Sequence, residues 1–321
     1  MIAEEEHGLS GPETSAREKP PVPKKRLRGT KRRDIGRTVF IVSMLAIPIV
    51  SWLVFWLYTN SSMIIMAFQS PMGEWTFQNF VTFWHELTAP KSDIGISLRN
   101  TFLYFGLNNL IMLPLGTLVA YFIYKKVWGY KFFRVAIFLT SIIPGVVMIT
   151  CFKEMIKQCG PLASLGVPFP ETGLLANNAT ATPTVMFYCF WTGYASTMLL
   201  MCGAMSRIPT EVFEALKLDG CGPFREFTSF VVPLIWPTLS MQIIFNLTGL
   251  FNSSGPILLM TGGAYETSTL NYWIFINTYR GTAASGAYNT VSATGLVFTV
   301  VALPLILLVR WLTEKVEAVE Y

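Results

Sequence analysis

The residues of this chain best placed to do chemistry lie between Ile208 and Pro237, where Glu211, Glu214, Lys217, Asp219 and Arg225 interrupt two apolar runs. Their spacing suits recognition of a partner. Pro209 fits the first turn of a helix, where its missing amide hydrogen is not needed, and Glu211 and Glu214 place negative charge near that N-terminus. This predicts a helix to about Leu218. Gly220 and Gly222 then permit the left-handed backbone that ends a helix, and Pro223 opens a second one. In that second helix Phe224, Phe227, Phe230 and Val231 make one apolar stripe until Pro233 and Pro237 interrupt it. A helix pair with a greasy edge and charged ends can be pushed as a rigid lever. An ordinary amphipathic loop at a membrane surface is the other reading of the same residues.

Other chemistries find little raw material. The five cysteines, Cys151, Cys159, Cys189, Cys202 and Cys221, are an odd number without a Cys-x-x-Cys pair, so neither a disulfide framework nor a metal site is implied. The two histidines, His7 and His85, are far apart. Glu86, Asp93, Glu154 and Glu171 show no paired acidic motif, and no activated-serine arrangement accompanies them, which argues against an enzyme. No Gly-x-x-x-x-Gly-Lys-Ser/Thr run occurs, so energy for uphill work would come from a partner or an ion gradient.

The elements that must position the charged loop are apolar. Hydrophobic residues make up 52% of the 321, charged residues 13%, and the mean hydropathy is +0.47, the profile of an integral membrane protein. About 20 apolar residues cross a hydrocarbon core of about 30 Å, and six segments qualify. These are Thr38–Tyr58, Asn100–Tyr124, Val135–Phe152, Thr184–Met205, Phe230–Phe251 and Ala287–Leu312. The expected fold is therefore all-α, a polytopic bundle of six transmembrane helices. With both termini cytoplasmic, nineteen of the 24 Lys and Arg fall on the inner side, which places the loop from Ile208 there too. Residues 1–37 contain no apolar run. They read as a disordered cytoplasmic tail whose basic cluster, Lys24 to Arg33, anchors topology against anionic lipid.

A family resemblance sharpens the loop. Ile208-Pro209, Glu214-Ala215-Leu216, Asp219-Gly220 and Val232-Pro233-Leu234 resemble the coupling-loop motif of binding-protein-dependent ABC importers. That motif reads Glu-Ala-Ala, three variable positions, Gly, and a distal Leu-Pro. Leu216 replaces the second alanine and Val232 the leucine. Leu98-Arg99-Asn100-Thr101, Phe133-Arg134 with Ile143-Pro144, and Thr261-Gly262-Gly263 are similar to the carbohydrate-uptake, maltose-type permeases, more to the first permease subunit than to the second. Ala264 departs from the proline that often follows the two glycines.

The resemblance implies a permease domain over 38–321 with a cytoplasmic coupling loop over 207–229, in a bacterial or archaeal cell membrane. It implies a second permease subunit, two ATPase subunits that carry ATP and Mg, and an extracytoplasmic sugar-binding protein. No cofactor in this chain and no nucleic-acid partner are expected. Glu214, Ala215, Asp219 and Gly220 are the implied coupling residues, with Glu214 for polar contact, Ala215 for close approach and Gly220 for the corner.

Substrate contacts follow from the cost of polar groups inside a span, which is offset only at a partner or a wet path. Asn108, Asn109, Gln242, Asn246, Asn252 and Ser253 are candidates, with Trp191 and Tyr194 as aromatic surfaces for a sugar. Hydrogen bonding from helix to helix is the structural alternative for these asparagines, and interfacial anchoring for the aromatics. Gly193, Gly249 and Gly295 suit either close packing or kinks. A gradient-driven carrier of a small polar solute is the rival function. The six segments hold no Asp, Glu, Lys or His, which argues against proton coupling.

Overall fold

The computed structural model describes residues 30–166, 170, 172–252, 255–280 and 286–316. The described residues are almost wholly helical, with one isolated bridge, Gln69 to Trp75, and no strand. They fall into two compact units that divide after Thr59.

In the first unit, helix α1 (Thr30–Trp52) continues as a π-helical stretch, Leu53–Tyr58. It starts eight residues ahead of the expected Thr38, so Lys31, Arg32 and Arg33 begin a helix and do not end a tail. The remainder of the expected tail lies outside the described residues. Every residue from Gly36 to Tyr58 is exposed, and the most apolar 18-residue stretch of the helical run Gly36–Ala67 has a mean hydropathy of 2.4. A helix apolar on all sides belongs in lipid.

The second unit opens with α2 (Thr59–Ala67) and α3 (Gln78–Thr88), the latter in a segment read from sequence as an outer connection. Helix α4 runs over Asp93–Tyr124, seven residues longer at its start than expected. Ser92 caps it, its hydroxyl accepting from the Gly95 amide at 2.9 Å, and Asp93 adds charge to the first turn. Within α4, Leu107–Met112 is wound as a π-helix. Helix α7 (Ala181–Met205) packs against α4 through small residues: a Cβ on Gly116 would stand 3.0 Å from Thr197 Cγ2, and one on Gly193 would stand 2.4 Å from Met112 Cε. Gly193 thus serves close approach.

Two expected spans are broken. In place of one helix over Val135–Phe152 there are α5 (Tyr130–Ile142) and α6 (Gly145–Met155), bent by 105°. Pro144 is the cause: the residue before a proline is driven out of the α region, and Ile143 sits at ψ 132°. In place of Phe230–Phe251 there are α9 (Pro223–Leu234) and α10 (Trp236–Thr248), bent by 71° at Ile235, next to Pro233 and Pro237; α8 (Thr210–Leu218) precedes them. Four helices among the described residues are long and apolar enough to cross a membrane, six if each bent pair counts as one span. The last is α12 (Ala287–Glu314), and α11 (Leu270–Arg280) precedes it.

The segment between α10 and α11 is part of the core, although it reads as an outer loop. Ile257 and Leu270 are fully buried, and Tyr272 donates its hydroxyl to Gly262 O at 2.7 Å. The start of α4 holds this segment down. Asn100 Nδ2 donates to the carbonyls of Glu266 (2.7 Å) and Ser268 (2.8 Å), Ser97 bonds Ser268, and Thr101 Oγ1 accepts from the Leu270 amide. Residues far apart in the chain, Ser97, Asn100 and Thr101 on one side and Glu266, Ser268 and Leu270 on the other, therefore form one fastening.

Candidate functional site

The loop between α7 and α10 has the expected shape, with local corrections. Pro209 is extended and α8 begins at Thr210, with Glu211 in its first turn and Lys217 in its last. Gly220 takes φ +69°, its amide donates to Lys217 O at 3.1 Å, and the Cys221 amide donates to Leu216 O at 3.0 Å. These two bonds make a Schellman C-cap, which a residue at positive φ closes. Gly222 does not share that geometry; it is extended at φ −72° ahead of Pro223.

The pair is two-faced. Phe213 and Leu216 are buried, Phe213 in one cluster with Ile208, Val231 and Ile235. Glu214, Ala215, Asp219 and Gly220 are all exposed on the opposite side. The stripe expected in the second helix splits: Val231 is buried, but Phe224 is 79% exposed, because Phe227–Val231 is wound as a π-helix and shifts the faces. Leu218, 89% exposed, lies across the Gly220 corner in sequence from Phe224. Sequence reading passed over Leu218, whose apolar character gave no sign that it faces outward.

A second residue without a sequence signal is Glu226. Its carboxylate is buried to 4% beneath the loop, ion-paired with Lys125 Nζ and accepting from the Tyr121 hydroxyl at 3.1 Å. A buried carboxylate costs several kcal/mol unless paired and hydrogen-bonded, and both conditions are met here.

The polar residues of the spans converge on a cavity of 460 Å³ between α4, α7 and α10. Its size falls in the range of small-molecule sites. Asn108, Gln242 and Asn246 line it, with Tyr104 and Tyr188 as aromatic walls. None of the described lining residues carries a charge. Gln242 Nε2 donates to Asn246 Oδ1 at 3.0 Å, Asn246 Nδ2 to Asn109 Oδ1 at 3.2 Å, and Asn109 Nδ2 to Phe105 O at 3.1 Å. The π-helical turn of α4 carries both Asn108, which lines the cavity, and Asn109, which bonds Asn246 behind it. The Tyr104 hydroxyl is buried at this cavity without a hydrogen-bond partner among the described residues.

The other expected pathway residues lie apart from this lining. Trp191 packs against Phe152 and Tyr188 in an apolar cluster, and Tyr194 stacks on Phe190 and lines a separate apolar cavity with Val119 and Phe133. Asn252 has an exposed side chain, and its carbonyl accepts from Asn271 at 2.9 Å. Ser253 is outside the described residues. Helix α10 ends at Thr248, and Leu250 sits in a tighter turn beyond it.

The chain is similar to known transport proteins over most of its length. It is 26% identical over 270 residues to the multiple sugar-binding transport system permease protein MsmF of Streptococcus mutans, covering 79% of this chain and 92% of that protein. It is 25% identical over 249 residues to the diacetylchitobiose uptake system permease protein NgcF of Streptomyces coelicolor, covering 73% and 70%. Its fold is that of a chain in the crystal structure of a bacterial ABC transporter involved in import of the acidic polysaccharide alginate, with a TM-score of 0.76, 21% identity, and coverage of 89% and 99%. Residues 112–318, which hold the exposed loop and most of the cavity, match the family model described as the binding-protein-dependent transport system inner membrane component, and the chain belongs to that family.

Proposed function

We propose that this chain is a permease subunit of an ATP-driven importer and forms one side of the path for an uncharged sugar or oligosaccharide. The family match over the exposed loop and the cavity together is the observation that carries this reading. The loop from Ile208 faces the cytoplasm, as do both termini, and Glu214, Ala215, Asp219 and Gly220 form its contact with an ATPase subunit, with Leu218 and Phe224 as apolar anchors. ATP and Mg belong to two such ATPase subunits. A second permease completes the path, and an extracytoplasmic binding protein delivers the sugar. Residues 38–321 act as the permease domain, and the basic tail before them meets anionic lipid.

An uncharged lining of Asn, Gln, Tyr, Ser and Thr supports a neutral, hydroxyl-rich cargo. Asn108, Gln242 and Asn246 are its polar contacts from this chain, with Tyr104 and Tyr188 as aromatic walls. Purification of the chain from its native membrane in mild detergent tests the reading. A sister permease and an ATPase should co-purify, and ATP hydrolysis should rise on adding the binding protein loaded with a neutral sugar. Recovery of a lone chain without ATPase would leave a gradient-driven carrier as the better description.

A further inference from the structure

The exposed face of the loop explains how a partner grips it, but a lever also needs a fixed link to what it moves. That link is visible on the buried side. Lys125 is the first residue after α4, and its ammonium pairs with Glu226 of α9 while lying 4.7 Å from the centre of the Phe213 ring of α8. One cation thus touches both helices of the loop. Tyr121, one turn earlier on α4, shares its one hydroxyl proton between Glu226 at 3.1 Å and the Pro223 carbonyl at 3.3 Å, and its ring lies 5.2 Å from that of Phe227. Tyr124 closes the set at 5.3 Å from Phe213. The Glu226 side chain is 5% exposed and that of Lys125 23%, so neither pairing is a loose surface contact.

On the proposed function, we infer that Lys125 and Glu226 are positioning residues that lock the two loop helices to the inner end of α4, so that loop movement is passed along α4 to the polar cavity. Helix α4 is continuous from Lys125 back to Asn109 and Asn108, 16 residues or about 24 Å away at 1.5 Å each. Asn109, at the middle of α4, bonds Asn246 of α10, and Gly116, between Asn109 and Lys125, brings α7 into contact. A displacement of the loop therefore reaches all three walls of the cavity through a single helix. An apolar contact at this place would permit sliding. A buried ion pair with a hydrogen bond holds one register, since every alternative leaves a charge unpaired. A physical route between sites calls for one element that both ends bias, and α4 meets that description.

The test uses the complete complex in proteoliposomes, reading sugar imported per ATP hydrolysed, with assembly checked by co-purification. Glu226→Gln and Lys125→Met should leave the complex assembled and hydrolysing ATP, while sugar per ATP falls about tenfold, within the 5- to 150-fold span of typical coupling effects. The exchanged pair, Lys125→Glu with Glu226→Lys, should regain most of that ratio. Single variants that assemble and import at the unaltered ratio would overturn the inference. If the singles fail to assemble, Tyr121→Phe removes one hydroxyl only and should lower the ratio about threefold; an unchanged ratio there overturns it equally. Failure of the unaltered complex to import any sugar with ATP would instead overturn the importer reading, and this inference with it.

Discussion

Asn246 carries the most informative single-residue prediction, because its amide sits between Gln242 and Asn109 on the cavity wall. Asn246→Ala removes both hydrogen bonds and one contact for the cargo. At about 0.5–1.5 kcal/mol per bond the apparent affinity for sugar should weaken about three- to tenfold, with ATPase co-purification unchanged. Uptake kinetics with an unaltered KM would return Asn246 to a purely structural role. Gly263 makes a contrasting case. It takes φ +78°, and a Cβ there would stand 2.3 Å from Tyr272 Cε1, beside the hydroxyl that bonds Gly262. Gly263→Ala should cost about 2–4 kcal/mol through overpacking and a disfavoured backbone, read as a lower melting temperature of the purified chain in detergent. A melting temperature within error of the unaltered chain would mean that the ring moves aside freely.

The corner between α8 and α9 is an element whose behaviour separates backbone from side chain. Gly220 has positive φ, yet no atom lies within 4 Å of where its Cβ would be. A side chain there meets open space, so the only penalty is conformational, roughly 1–2 kcal/mol for an ordinary residue and less for Asn. Gly220→Asn should keep near-full import and Gly220→Val should reduce it severalfold. Gly220→Pro, which fixes φ near −65° and removes the amide that bonds Lys217, should uncouple ATP hydrolysis from uptake while the chain stays inserted. Full uptake by the proline variant would sink the lever account. This element was largely legible in the sequence, because capping is local: Pro209, Glu211, Gly220 and Pro223 each act within one turn. What was not legible is tertiary. The pairing of Glu226 with Lys125 joins residues about 100 positions apart, and nothing near Glu226 marks it as buried. Likewise the two broken spans read as continuous, since apolar composition reports length in lipid and is blind to a bend at Pro144 or Ile235. The cavity was half legible: polarity inside a span marked Asn108, Gln242 and Asn246, but Trp191 and Tyr194 were chosen by type, and which aromatic faces the cavity depends on a helix register that Tyr104 and Tyr188 happen to satisfy.

Across the whole chain, the strongest remaining consequence concerns sidedness. The proposed orientation rests on the excess of Lys and Arg in the segments before Thr38, around Lys125 to Arg134, and around Arg207 to Arg225. The structure supplies two reporters that lie on opposite sides in the proposed orientation. Cys159 is an exposed free cysteine just past α6, on the proposed outer face. Trp128, between α4 and α5, is 95% exposed on the proposed inner face. With the other cysteines changed to serine, a chain keeping Cys159 should react with a membrane-impermeant maleimide in right-side-out vesicles. A chain with Trp128→Cys as its one thiol should react only after the vesicles are opened. Trp128 is exposed, so its replacement should change stability by no more than about 0.5 kcal/mol; Cys189 and Cys202 are half-buried, so the cysteine-depleted chain is first checked for an unaltered melting temperature. The reverse pattern would put Glu214 and Gly220 on the outer side, out of reach of any cytoplasmic ATPase. The loop would then need a partner outside the cell, and its charged corner would have to be read as part of substrate delivery, not of energy coupling. Orientation is therefore the hinge of the proposal: the same exposed face, with the same Schellman-capped corner, serves two different partners depending on which way the positive loops lie.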